Sequence, residues 1–130
     1  MSFLFTGDAE EAQEIEAVAT GVDLKTNFLK VCHHGSSTSC STTLLDAIWN
    51  KVAEEARFAL ISSGRKTYNK SYIPTPQTIL RLKEYLTEDH IFSTSSGDDN
   101  KVEKESYRDD NILVVVKPDG SYYACYNGTN

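Results

Sequence analysis

Short apolar runs alternate along this chain with stretches whose apolar positions recur at helical spacing. Residues 3–7 (FLFTG) form the first run, a short buried strand with Gly7 allowing the turn that follows. From Ala9 to Thr20, Ala12, Ile15, Val18 and Ala19 recur at helical spacing, with Glu10, Glu11, Glu14 and Glu16 at other positions. Acidic residues near that N-terminus suit the helix dipole, and Gly21 is placed to end the helix. Residues 27–32 predict a second strand. A Ser/Thr-rich loop, Ser36 to Thr43, follows, and its hydroxyls can cap the next helix, whose apolar face is Leu44, Leu45, Ile48, Trp49 and Val52.

Arg57 to Ser62 (RFALIS) predicts a third buried strand, followed by a polar loop to Ile73. Thr75-Pro76 then combines a hydroxyl N-cap with proline at the first helical position, and Ile79, Leu82 and Leu86 supply that helix's buried stripe. His90 to Thr94 predicts a short strand. Residues 95–111 are polar and charged and predict a surface loop. Ile112–Val116, the turn Lys-Pro-Asp-Gly and Ser121–Tyr126 predict a closing hairpin. The order β-α-β-α-β-α-β, then β-β, predicts a single α/β domain over residues 1–130, its mostly parallel sheet flanked by helices and carrying an antiparallel edge.

Composition narrows the classes. An apolar fraction of 39% and a charged fraction of 25% are those of a globular domain, and 130 residues suffice for one core. A net charge of −6 argues against a general binder of nucleic-acid backbone, although Arg65, Lys66 and Lys70 form a local basic cluster. Three cysteines, Cys32, Cys40 and Cys125, with no CxxC spacing, predict buried thiols rather than a disulfide framework or zinc knuckle. No window of 18 apolar residues predicts a membrane span, and no signal peptide is recognisable, so a cytoplasmic location is the default expectation.

Two strand ends carry candidate chemistry. The first strand ends in Gly7-Asp8, and the second runs into Cys32-His33-His34-Gly35-Ser36. In open α/β sheets ligands gather beyond the carboxyl ends of the strands. Asp8 offers two oxygens and can bridge metals. His33 and His34 are adjacent and point in different directions, so one can ligate while the other lines the pocket and moves a proton. The plainer alternatives are that Asp8 caps the helix starting at Ala9 and that the histidines are ordinary strand-end residues. The hydroxyls of Ser36, Ser37 and Thr38 could serve an anion site or act as caps.

The string FLFTGDAE followed by LKVCHHGSSTS resembles the later motifs of the metallo-β-lactamase fold, most closely its stand-alone and competence-protein (ComEC-type) hydrolases. The resemblance continues through RFALISSG, the loop with Tyr68 and Asn69, and PTPQTILRLKE, covering most of residues 3–94. It implies the C-terminal half of an αββα sandwich. It also implies that Asp8 bridges two zinc ions, that His34 ligates the second, and that His33 sits catalytically near the scissile group. The implied reaction is attack of metal-activated water on an ester, amide or phosphodiester bond.

Two departures qualify that expectation. The family's His-x-His-x-Asp-His motif, which precedes the Gly-Asp strand, has no counterpart in this chain, and Ile73 stands where relatives often carry a histidine. Asp8 and His34 alone supply too few donors for a dinuclear centre. His90, at the start of a strand, is expected at the opposite edge of a parallel sheet. This chain alone is therefore expected to hold zinc weakly or not at all and to be inactive until the N-terminal half or a self-associated copy completes it. The alternative is a non-catalytic α/β module acting in association, because a half sandwich exposes an apolar sheet face.

Overall fold

The computed structural model describes residues 1–64, 67–68, 70–95 and 111–126. Arg65, Lys66 and Asn69, together with residues 96–110 of the polar segment, lie outside the described residues. The element order is β1 (Phe3–Phe5), α1 (Glu11–Ala19), β2 (Phe28–Lys30), α2 (Thr42–Trp49), β3 (Phe58–Ile61), β4 (Thr67–Tyr68), β5 (Ser71–Tyr72), α3 (Pro76–Leu82), β6 (Ile91–Ser93), β7 (Ile112–Val116) and β8 (Tyr122–Tyr126). Strands β1, β2, β3 and β6 form one sheet in that order, every pair parallel, with Phe3, Phe28 and Phe58 in one register row. The chain is thus α/β, a four-stranded parallel sheet flanked by helices and followed by an antiparallel hairpin.

Period-two alternation gives the sheet two unlike faces. Leu29, Ala59 and Ile61 pack with Leu44, Leu45, Ile48 and Trp49 of α2 and with Leu82 of α3, building the main core. The α2 stripe is as its spacing predicts, and Ser41 caps the helix by accepting from the Leu44 N–H. Phe28, Phe58 and Phe92 point to the other face, where Ile112, Val114, Tyr122 and Ala124 of the hairpin cover them. The hairpin therefore does not extend the sheet edge as expected; it lies across the aromatic face. Its inward side chains are apolar, and Tyr122 meets Phe28 edge-on at 5.4 Å. Only part of that face stays open, at Phe3 (40% exposed) and Phe5 (76% exposed) of β1.

Helix α1 departs from its predicted inner face. Ile15 is 46% exposed, whereas Glu14 is 2% exposed. The Glu14 carboxylate accepts the N–H groups of Cys40 at 2.6 Å and Ser41 at 2.7 Å, which satisfies two buried donors at the start of α2. A further departure is the small β4–β5 ribbon, where the sequence predicts only a polar loop.

At α3 the proline and cap are placed as expected: Thr75 accepts from the Thr78 N–H, with Pro76 at the helix start. Thr75→Ala is expected to lower the unfolding free energy by about 1 kcal/mol, the usual value of such a cap, and a shift in the urea midpoint at constant slope checks it.

Candidate functional site

The carboxyl ends of β1 and β2 converge on one cleft of about 600 Å³, lined by Asp8, Glu10, His33 and His34 with Ser36, Thr38, Tyr72 and Ile73. Strand β2 leads into a tight turn, Cys32–Gly35, in which His33 (φ 43°) and His34 (φ 57°) both take left-handed backbone conformations. Such conformations are costly for residues with a Cβ and persist where the surroundings fix them. The His33 N–H donates to the Gly7 carbonyl, tying this turn to the turn after β1. Gly35 (φ +86°) lies against Pro74, and its carbonyl accepts the Thr75 N–H at 2.9 Å.

His34 is oriented by the end of β3. Its Nδ1 lies 2.6 Å from the Ser62 carbonyl oxygen, which can only accept, so Nδ1 is the donor there and Nε2 is the ring nitrogen left to face the cleft. Nε2 faces Asp8 Oδ1 at 3.4 Å, and both side chains are substantially exposed. Asp8 does not cap α1; Glu10 is the N-cap residue, and its N–H donates to Gln13 Oε1.

His33 points elsewhere, as adjacent residues in such a turn must. Its Nδ1 lies 3.3 Å from Glu10 Oε1, within ion-pair range, yet no hydrogen bond aligned with a partner satisfies that buried atom. The Thr38 hydroxyl donates to the same Glu10 oxygen and holds the carboxylate beside the ring. His90 sits immediately before β6 and stacks on Phe58 at 4.4 Å, at the other end of the parallel sheet from His34. Ile73 lines the cleft and brings no donor.

The three predicted residues, Asp8, His33 and His34, are thus brought into one cleft, Asp8 with His34 and His33 with Glu10. Sequence reasoning missed Glu10, which looked like one more helix acid, and the Ser62 carbonyl, since backbone acceptors have no signature. It also missed a second grouping behind the turn. Glu14, Cys32 and Cys40 have ligand atoms all within 4.8 Å of one another, are buried, and could hold a metal ion; among the described residues no other group of three or more His, Cys, Asp or Glu does so. The Cys32 thiol titrates below its ordinary range because Cys40 hydrogen-bonds to it, and that same bond, with burial, pushes Cys40 up. Their seven-residue separation in sequence matches no zinc signature.

No family model, curated protein or solved structure matches the chain. Among the described residues no helix is long and apolar enough to cross a membrane.

Proposed function

We propose that this chain carries part of a metal-dependent hydrolase site of the metallo-β-lactamase type, with Asp8 and His34 as zinc ligands and His33 as the proton-handling residue. The observation that carries this reading is the His34 geometry: Nδ1–H is committed to the Ser62 carbonyl, and Nε2 is turned toward Asp8 at 3.4 Å. Metal-bound histidines characteristically donate their other ring N–H to such an acceptor. Two bonds of about 2.1 Å at the tetrahedral angle put their donors about 3.4 Å apart, so the pair is spaced for one cation.

A bound zinc would supply hydroxide at neutral pH, because it would lower the pKa of its water to about 7. The residues of this chain do the rest. The Ser62 carbonyl orients the His34 ring, Thr38 holds the Glu10 carboxylate beside the His33 ring, and His33 is assigned to take or return a proton at the scissile group. A small ester or phosphodiester suits a cleft of this size better than a long nucleic acid, since Asp8 and Glu10 make its mouth acidic. Asp8 and His34 are two of about four donors a zinc takes. The others come from outside the described residues, from further polypeptide or a second copy.

Zinc-dependent cleavage of bis(4-nitrophenyl) phosphate by the completed protein is expected to fall at least about 100-fold in Asp8→Ala and in His33→Ala, the scale of losing a ligand or a general acid–base group. Equal rates in wild type and Asp8→Ala would contradict the assignment.

A second reading, association through the open aromatic face, has its own support in Phe5, 76% exposed, and Phe3, which stacks on Phe28 at 4.9 Å. It predicts a concentration-dependent sedimentation coefficient that Phe5→Asp abolishes. A strictly monomeric wild type at high concentration counts against it.

A further inference from the structure

Behind the His33–His34 turn, three elements deliver side chains to one buried point: Glu14 from α1, Cys32 from the start of the turn, and Cys40 from the loop before α2. We propose that Glu14, Cys32 and Cys40 bind one thiophilic divalent cation of the zinc class, a structural site separate from the Asp8–His34 cleft that clamps the histidine turn to α1 and α2. The donor set supports that class. Two sulfurs and one carboxylate oxygen form a soft, anionic set that zinc and its cobalt and cadmium surrogates favour over magnesium or calcium.

Spacing and burial support it too. Donors on a tetrahedral zinc lie about 3.5–3.8 Å apart, so a group already within 4.8 Å closes with movements of about an ångström. Glu14 is 2% exposed and both cysteines are fully buried. Among the described residues no Lys, Arg or His pairs with the Glu14 carboxylate, which is held by two neutral N–H groups. A buried carboxylate without a cationic partner is costly. Cys40 also holds a left-handed backbone (φ 57°), one of only four such non-glycine residues described, and the two histidines are among the others. Strain of this kind gathers where a site is built.

The step balances. One M²⁺ enters as two thiol protons leave to solvent, forming two metal–sulfur bonds and one metal–carboxylate bond, so the net charge of the buried group stays at minus one. A fourth coordination position remains for a water.

The test is titration of the reduced full chain with Co²⁺ in the presence of a non-thiol reductant. The expected result is a sulfur-to-cobalt charge-transfer band that saturates at one metal per chain, with release of about two protons per metal, as thiol ligation requires. Band and proton release are expected unchanged in Asp8→Ala, because the cleft uses no sulfur, and absent in Cys40→Ser. No charge-transfer band in the wild-type chain would overturn the proposal, and that reading needs no variant to fold. A band lost in Asp8→Ala, or kept at full strength in Cys40→Ser, would overturn it as well. Failure of the cleft assignment would leave this band in place, and failure of the thiolate site would leave the His34 response to zinc in place.

Discussion

Gly35→Ala is expected to destabilise the fold by about 2–5 kcal/mol. Two costs combine. The residue sits at φ +86°, where a Cβ costs about 1–2 kcal/mol, and the added atom would lie 2.6 Å from Pro74 Cβ and 2.9 Å from its Cα. Neither Pro74 atom belongs to a flexible chain end, and the Thr75 N–H bond to the Gly35 carbonyl holds the two segments together, so relief requires backbone movement of the kind that costs about 1–3 kcal/mol. Gly120→Ala separates the two costs, since Gly120 has φ +84° with nothing within 4 Å of its would-be Cβ. Urea unfolding of both variants is expected to show Gly120→Ala losing only the conformational part. Equal losses would mean that the approach of Pro74 to the turn is not a constraint. Because Gly35 directly follows His34, the same variant is also expected to weaken metal binding in the cleft.

Glu14→Ala is expected to cost about 2–6 kcal/mol, measured by urea unfolding in the presence of a chelator so that no metal contributes. Removing the carboxylate strands the N–H groups of Cys40 and Ser41, each buried donor costing about 1–3 kcal/mol when left without an acceptor. Both belong to the segment that starts α2, where Ser41 is the N-cap, so the loss is expected to spread into that helix. Glu14→Gln keeps a single carbonyl acceptor and is expected to fall between. A wild-type midpoint for Glu14→Ala would show that water replaces the carboxylate freely.

These two positions also mark what could and could not be read from sequence. The stripe of Leu44, Leu45, Ile48 and Trp49, the Thr75-Pro76 start and the Pro118-Asp119-Gly120 turn each rest on local rules, periodicity or backbone chemistry, and the structure follows them. Convergence of Asp8, His33 and His34 was legible because strand ends of a parallel sheet share one edge. What was not legible depends on partners distant in sequence. Ile15 looked like core and Glu14 like surface, until the unsatisfied N–H groups some 26 residues away drew the carboxylate inward. The hairpin's position followed the same logic. Its pattern predicts two paired strands, but only the aromatic cluster of Phe28, Phe58 and Phe92 on one sheet face decides that they cover a face rather than extend an edge.

His34 Nε2 and Asp8 are proposed as donors to one metal ion. The most direct measurement is the ¹⁵N spectrum of the histidine rings during a zinc titration of the full chain. At zinc concentrations high enough to load a weak two-donor site, His34 Nε2 is expected to shift toward metal-bound values while Nδ1 keeps its proton, His90 to stay unmoved, and Asp8→Ala to weaken the response at least about 10-fold. A His34 ring that stays unchanged at saturating zinc, or that responds identically in Asp8→Ala, would contradict it.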